Sequence, residues 1–182
     1  MIQQTISLLK KIESEHGPSA FACSFGLEDM VLLDMISKHA RRIEVFTLDT
    51  GRLPNETLDL LEIARDKYPV PIRVYFPEAK LVEEWVEQNG PNGFYKSISQ
   101  RKQCCHIRKV LPLRAELSRF DAWVTAIRRD QTRDRARARA VEWDGKFGLV
   151  KVNPLFRWSA ADVDDYLARH DVPVNPLHAR GY

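Results

Sequence analysis

Apolar residues follow two spacings along the chain, one typical of helices and one typical of buried strands. Ile2, Ile6, Leu9 and Ile12 fall on one face of a predicted opening helix, which ends at Gly17-Pro18. Short apolar runs predict buried strands at 20–24, 43–48, 72–76 and 122–127. Further helices are predicted at 30–36, after Pro54-Asn55, and at 78–88. Strands and helices therefore alternate along this part of the chain.

The second half of the chain adds another helical segment, a hairpin and a final helix. The segment around Cys104 predicts a helix that is broken or restarted at Pro112. Asp144-Gly145 predicts a hairpin turn between 140–143 and 147–152. Ser159 and Asp162 have the spacing of a capping box, which begins a last helix. The inward face of that helix is predicted to hold Val163, Tyr166, Leu167 and His170.

Short apolar strands that alternate with helices predict an α/β fold, a parallel twisted sheet with helices on both faces. We see no repeat, linker or low-complexity tract, so residues 1–182 are predicted to form a single domain. In such sheets ligands bind beyond the carboxyl ends of the strands, where the strand order reverses. The loops that follow the strands are therefore the first places to look for chemistry.

Composition narrows the class of protein. Apolar residues make up 44% of the chain and charged residues 29%, which excludes a disordered or collagen-like chain. No apolar run reaches the length of about 18 residues that a membrane span needs, and the first residues do not resemble a signal peptide. Three cysteines cannot form a disulfide framework, so we expect a cytoplasmic protein with no membrane partner.

Positive charge is concentrated in the second half of the chain. Residues 1–100 carry 11 basic and 15 acidic side chains, whereas residues 101–182 carry 17 and 10. Dense arginines suit an anion with several phosphate-like groups. The alternatives are a solvated basic surface or a nucleic-acid patch. No aromatic ladder or helix-turn-helix pattern accompanies the charge, so we expect a small anionic ligand and no nucleic acid.

Two loops at predicted strand ends are candidate binding segments. Ser24, Phe25 and Gly26 connect a strand to a helix, whose first N–H groups form a potential anion site. This loop matches neither the Walker A pattern nor the glycine-rich dinucleotide fingerprint. The second loop, Leu48-Asp49-Thr50-Gly51, could line a nucleoside pocket with its backbone groups. For both loops an ordinary strand-to-helix turn remains an alternative interpretation.

Two later segments are candidates for metal and anion binding. Cys104 and Cys105 are adjacent and surrounded by basic residues, which resembles half of a thiolate-ligated metal or iron–sulfur site. Two incidental thiols are the alternative. Arg128, Arg129 and Gln131 follow the strand predicted at 122–127 and suit phosphate or sulfate recognition. Cys23 is interpreted as a small buried residue rather than a nucleophile.

These four segments, in this order, resemble the assimilatory sulfonucleotide reductases, which use adenylylsulfate or phosphoadenylylsulfate. The resemblance implies an adenine-nucleotide α-hydrolase-like fold with a modified pyrophosphatase-type loop, here at 24–29. It places substrate binding at Ser24, Phe25, Gly26, Leu48, Asp49, Thr50, Gly51, Arg128, Arg129 and Gln131. Residues 151–155 and 174–178 are similar to later landmarks of the family, so the resemblance covers nearly the whole chain.

The cysteine pair resembles the branch of the family that carries a [4Fe–4S] cluster and prefers adenylylsulfate. Cys104 and Cys105 would supply two of its four ligands, with Lys109 near the cluster and the substrate. The implied reaction is thioredoxin-dependent reduction of adenylylsulfate to sulfite and AMP, through an S-sulfocysteine on the enzyme. The electron donor is expected to be thioredoxin or a glutaredoxin-like protein. The oligomeric state, including a homo-oligomer, is left open.

The family pattern continues beyond the equivalent of Gly181-Tyr182 into a Cys-x-x-Cys pair and a tail with the nucleophilic cysteine. Neither lies within the 182 residues, so we expect a C-terminally incomplete domain that binds nucleotide without turnover. Three alternatives stay open. They are a non-catalytic nucleotide-binding paralogue, a phosphoadenylylsulfate reductase, and an ATP-cleaving relative of the same fold.

Overall fold

A six-stranded sheet lies at the centre of the protein, as described for residues 1–181 by a computed structural model. The strands are β1 (Ser19–Ala22), β2 (Glu44–Leu48), β3 (Ile72–Tyr75), β4 (Ala122–Val124), β5 (Val141–Asp144) and β6 (Leu149–Val152). Their order is β3-β2-β1-β4-β6-β5, and every neighbouring pair is parallel except the β5–β6 hairpin. The predicted α/β class is confirmed.

Seven α-helices in the described part of the chain connect and cover these strands. They are α1 (Ile2–Glu15), α2 (Leu27–His39), α3 (Asn55–Lys67), α4 (Ala79–Asn89), α5 (Ile98–Cys105), α6 (Leu111–Leu117) and α7 (Ala160–Arg169). A π-helical turn, His106–Val110, joins α5 to α6, and Pro112 lies in the first turn of α6 as predicted. Short 3-10 helices occupy Gly93–Tyr95, Arg133–Arg137 and Pro176–Arg180. Within residues 1–181 every helix is too short or too polar to cross a bilayer.

Helix α2 forms the centre of the larger apolar core. Nine consecutive residues, Asp29 to Ser37, are buried because α2 is apolar on nearly all sides and packs against α1 and α7. The buried Asp34 carboxylate accepts hydrogen bonds from Tyr166 Oη and Lys38 Nζ, both at 2.7 Å. Each fully buried Leu, Ile, Met or Phe side chain contributes about 1.5–3 kcal/mol of hydrophobic stabilisation. Helix α2 is therefore a rigid support for the loop that precedes it.

Most predicted elements are present, with differences at their ends. Strand β4 stops at Val124, before the predicted end at 127, although the Thr125 N–H still bonds Val152 O at 2.8 Å. The Thr125 hydroxyl is hydrogen-bonded to the Asn153 side chain. The hairpin turn is longer than Asp144-Gly145, because β6 begins only at Leu149. Gly148, the last residue of the turn, has a φ of 76°, a conformation that favours glycine. The predicted inward position of His170 is wrong. This ring is exposed and stacks on Tyr166, with centroids 4.1 Å apart.

The strand order reverses at β1, which lies between β2 and β4. Parallel strands carry their carboxyl ends to the same edge of the sheet, so the loops after β1, β2 and β4 meet there. The capping box of α7 is confirmed, with Ser159 Oγ and the Asp162 carboxylate bonded reciprocally to backbone N–H groups. The reversal of strand order brings together the three loops that the sequence marked as candidates.

Candidate active site

The loop after β1 folds around one of its own acidic residues. Phe25 adopts a φ of 63°, unusual for a residue with a side chain, and its ring is buried in the core. Gly26 is the N-cap of α2. The Oδ2 atom of Asp29 accepts hydrogen bonds from the Ser24 N–H at 2.6 Å and from Ser24 Oγ at 2.5 Å. The first turn of α2 therefore binds back to the start of the loop.

Burial changes the protonation of two groups in this loop. It raises the pKa of Asp29 from 3.8 to about 6, against the opposing effect of the Ser24 hydrogen bonds. It also raises the pKa of the Cys23 thiol well above its usual value, with the Asp29 carboxylate adding to the effect. A protonated, buried thiol is a poor nucleophile. These features support the interpretation of Cys23 as a core residue.

The loop after β2 is held by an arginine from the cysteine segment. Asp49 Oδ1 accepts a hydrogen bond from the Gly51 N–H at 2.8 Å. Arg108 is buried, and its Nη1 donates to the carbonyl oxygen of Thr50 at 2.6 Å. Gly51 has a φ of 68°, and a Cβ added there would lie 3.1 Å from Arg108 Nη1. Glycine thus allows both the turn and the close approach of the guanidinium.

A cavity of about 320 Å³ opens where the first two loops meet. It is predominantly apolar, with a few polar groups, as is typical of small-molecule sites. Ser24 and Leu48, both predicted site residues, lie on its wall. The full lining comprises Ala22, Cys23, Ser24, Thr47, Leu48, Leu53, Thr57, Lys109, Leu113 and Trp123. We call this space the strand-end cavity.

A second cavity, of about 400 Å³, adjoins the first and is called the cysteine cavity below. Lys109 and Leu53 line both cavities, so the two spaces meet at these side chains. The cysteine cavity is lined by Thr50, Arg52, Leu53, Pro54, Phe94, Arg101, Cys104, Cys105, Arg108 and Lys109. This lining contains four cationic side chains and no carboxylate. The cysteine cavity can therefore attract an anionic group.

The two cysteines lie at the junction of α5 with the π-helical turn. Cys104 is buried, Cys105 is exposed, and both line the cysteine cavity. Among residues 1–181 no group of three or more His, Cys, Asp or Glu side chains is placed to hold a metal ion. Two adjacent cysteines would supply one half of a four-cysteine ligand set. A complete site needs two further ligands.

Arg128 lies beyond β4 and is bound within the protein. Its guanidinium is 9% exposed, and Nε donates to Glu28 Oε1 at 2.9 Å. Nη1 pairs with the carboxylate of Asp130. Gln131 Nε2 donates to the same Glu28 oxygen at 3.0 Å, and its Oε1 accepts from the Arg128 N–H at 3.1 Å. These contacts join the arginine loop to the first turn of α2.

Arg129 also has partners within the protein. Its Nε donates to the carbonyl oxygen of Ala138 at 2.7 Å, and its guanidinium lies 4.7 Å from the centre of the Phe156 ring. Arg128, Arg129 and Gln131 thus line neither cavity. A direct contact of these residues with substrate stays a prediction, and so does a contact of Phe25, Gly26, Asp49 and Gly51.

Several site residues had no sequence signal. Leu53, Thr57 and Trp123 line the strand-end cavity, yet their sequence context predicted only helix, strand or turn. Arg108 belongs to the cysteine segment that resembles the cluster-bearing branch of the family, but its hydrogen bond to the Thr50 carbonyl had no sequence signal. Arg108 and Thr50 are 58 positions apart in the sequence, so no local pattern could predict the hydrogen bond between them.

The fold and the site define an α/β protein with a partly cationic cleft at the reversal of strand order. The sequence profile of the phosphoadenosine phosphosulfate reductase domain matches residues 18–182. The chain therefore belongs to that family. Two relatives are named adenosine 5′-phosphosulfate reductase, from Allochromatium vinosum and Burkholderia cepacia, and each is 44% identical to this chain.

These relatives are longer than the 182 residues. The matches cover 97% and 100% of this chain but 69% and 72% of the two relatives. A crystal structure of phosphoadenylyl-sulfate reductase from Candida auris, in a phosphate complex, has a TM-score of 0.83 and 26% identity. The match covers 98% of this chain and 85% of the Candida auris chain. An ammonia-dependent NAD synthetase from Campylobacter jejuni, at 8% identity and a TM-score of 0.62, shares the fold alone.

Proposed function

We propose that the two cavities together bind adenylylsulfate, in the service of its reduction to sulfite and AMP. The strand-end cavity would hold the nucleoside, and the phosphosulfate would extend past Lys109 into the cysteine cavity. The observation that carries this proposal is the position of Lys109, which lines both cavities. The names of the two bacterial relatives support the substrate class.

The charge distribution supports this orientation. The strand-end cavity is mostly apolar, which suits a purine and its ribose, whereas Arg52, Arg101, Arg108 and Lys109 line the cysteine cavity. Arg108 is already bonded to Thr50, so its main contribution would be to fix the wall. Lys109 is exposed and lacks an acidic partner within 4.0 Å in the described part of the chain. Its ammonium is therefore available to an anion.

The proposed chemistry has two steps. A cysteine thiolate attacks the sulfate sulfur, the bond from that sulfur to the bridging oxygen breaks, and AMP leaves with the electron pair. The resulting S-sulfocysteine is then cleaved by a dithiol such as thioredoxin or a glutaredoxin-like protein. Sulfite is released, the enzyme thiol is restored, and the dithiol becomes a disulfide. Lys109 would stabilise the negative charge that develops on the leaving phosphate.

The attacking thiol is expected to come from outside residues 1–181. Cys23 is buried, with a raised pKa that keeps its thiol protonated. Cys104 and Cys105 are better suited to ligation, because they lie side by side in one cationic cavity. These two thiolates would hold one side of a [4Fe–4S] cluster. When bound, the cluster would tie the cysteine segment to its other ligands and add its charge to the sulfate end of the site.

Anaerobic calorimetric titration of the chain with adenylylsulfate, AMP and ATP plus magnesium tests the substrate. We expect adenylylsulfate and AMP to bind, and Lys109→Met to weaken adenylylsulfate binding by about tenfold, the loss of one charge-assisted contact of roughly 1.4 kcal/mol. Lys80→Met, a change on an exposed position of α4, is the matched control and should leave the affinity unchanged. If ATP with magnesium were the only one of the three ligands to bind, the result would favour an ATP-cleaving relative instead.

Two further measurements test the cysteine assignments. Anaerobic reconstitution with iron and sulfide should give thiolate-to-iron absorbance that Cys104→Ser and Cys105→Ser each reduce and Cys23→Ser leaves intact. Equal absorbance in all three variants would overturn the ligand assignment. Sulfite production by residues 1–182 with adenylylsulfate and reduced thioredoxin would overturn the expectation that the nucleophile lies elsewhere.

A further inference from the structure

The loop after β1 holds an anion that belongs to the chain itself. The Asp29 carboxylate binds both the N–H and the hydroxyl of Ser24, at 2.6 and 2.5 Å. Ser24 lines the strand-end cavity, so these donors belong to the part of the loop that faces a ligand. Asp29 is only 8% exposed, and solvent screens its charge weakly. The donors that a phosphate would seek are thus held by a carboxylate.

A nearby cation compensates the negative charge of Glu28, whereas the negative charge of its neighbour Asp29 has no such partner among residues 1–181. Glu28 accepts hydrogen bonds from Arg128 and Gln131, at 2.9 and 3.0 Å. Asp29 has no lysine, arginine or histidine within 4.0 Å among residues 1–181, and its partner Ser24 is neutral. The negative charge of Asp29 therefore acts on any anion that approaches the start of α2. This repulsion grows with the charge of the ligand.

We propose that Asp29 is a specificity-determining residue that excludes pyrophosphate groups from the donors of the loop at 24–29, beside the strand-end cavity. The carboxylate occupies the loop donors and repels polyphosphates more strongly than ligands with one phosphate. AMP and adenylylsulfate carry fewer negative charges than ATP, so they suffer less from this repulsion. The inference rests on the proposed function for the identity of the accepted ligand. Exclusion of pyrophosphate is a separate property, which is measured by titration with inorganic pyrophosphate.

The variant Asp29→Asn removes the charge and retains an oxygen that can accept from Ser24. Calorimetric titration at pH 8 compares the variant with wild type, using pyrophosphate, ATP and AMP without magnesium. At this pH the wild-type carboxylate is ionised, because its pKa is about 6. We expect pyrophosphate and ATP to bind about tenfold more tightly to the variant, while AMP changes less than about threefold.

Two further variants separate charge from shape. Asp164→Asn removes a carboxylate from an exposed position of α7 and should leave all affinities unchanged. Asp29→Glu retains the charge with a longer side chain and should bind pyrophosphate as weakly as wild type. Circular dichroism melting establishes that each variant is folded before titration.

Two results would overturn the role of Asp29. The first is unchanged pyrophosphate affinity in folded Asp29→Asn. The second is equal pyrophosphate affinity in Asp29→Asn and Asp29→Glu, which would make loop shape the cause instead of charge. Failure of AMP and adenylylsulfate to bind wild type would count against the proposed function. In that case a tenfold gain for pyrophosphate in Asp29→Asn would still support the exclusion by Asp29.

Discussion

Replacement of Arg128 by alanine is expected to lower the free energy of unfolding by about 3 kcal/mol. The Arg128 guanidinium is 9% exposed and the Glu28 side chain 21% exposed, so both charges are partly removed from water. Loss of one partner from a buried ion pair costs about 3–5 kcal/mol, because the other charge is left without compensation. Glu28 would keep its bond from Gln131, which places the effect at the lower end of that range. The pair with the half-exposed Asp130 adds little.

Equilibrium denaturation in guanidinium chloride, followed by tryptophan fluorescence, measures this loss. A double-mutant cycle with Glu28→Gln isolates the pair, and a coupling energy of about 2 kcal/mol is expected. Arg133→Ala is the matched control, since Arg133 is exposed in the same segment and has no acidic side chain within 4.0 Å in the described residues. Its effect should stay within about 0.5 kcal/mol.

The affinity for AMP distinguishes this structural role from a direct contact with the ligand. If Arg128 acts through Glu28, folded Arg128→Ala should bind AMP within about threefold of wild type. A wild-type denaturation midpoint combined with a loss of AMP affinity of tenfold or more would refute the reasoning. It would mean that the guanidinium serves the ligand and that the contact with Glu28 contributes no stability.

Three further predictions concern other contacts of the described structure. Arg108→Met leaves the Thr50 carbonyl without its donor and should lower the free energy of unfolding in guanidinium chloride by about 2 kcal/mol; an unchanged value would contradict this. Ser159→Ala removes the capping box of α7 and should cost about 1 kcal/mol in the same assay, whereas Ser14→Ala, an exposed serine near the end of α1, should not. Burial raises the pKa of Asp29 from 3.8 to about 6, so the native state retains a proton that the unfolded state releases. Wild type should therefore lose up to about 3 kcal/mol relative to Asp29→Asn as the pH rises from 4 to 7, and parallel pH profiles of the two proteins would contradict this sign.

The main elements of the fold could be predicted because their patterns are local. Helix α2 is apolar on nearly all sides, and it lies in the core. The short apolar runs became β1, β2 and β3 within two residues of the predicted ends. Strand β4 ends at Val124, three residues before its predicted end. The next residue, Thr125, bonds to the Asn153 side chain, and periodicity carries no information on such a partner. The exposed His170 shows the same limit, since helical spacing placed it inward.

The candidate site was predictable in its loops but not in its contacts. Ser24 and Leu48 line the strand-end cavity, Thr50 and Cys104 line the cysteine cavity, and Lys109 lines both. The first three were marked by their strand-end positions, Cys104 by the adjacent cysteine and Lys109 by the family resemblance alone, and their contacts with a ligand stay predictions. The partners of the arginines could not be predicted in the same way. Arg128 pairs with a residue 100 positions earlier in the chain, and only the assembled sheet brings the two together. A pattern of paired arginines is equally compatible with a ligand and with an internal carboxylate.

The contrast between Glu28 and Asp29 shows how one segment can both hold its shape and select its ligand. Glu28 is bonded to Arg128 and Gln131, so its charge serves the attachment of the arginine loop to α2. Asp29 accepts hydrogen bonds from the uncharged Ser24 groups, which stabilise the loop without neutralising the carboxylate. Because Phe25 takes a left-handed conformation, the chain turns back far enough for that contact over five residues. The compensated carboxylate therefore builds the site, and the uncompensated one remains to oppose highly charged ligands.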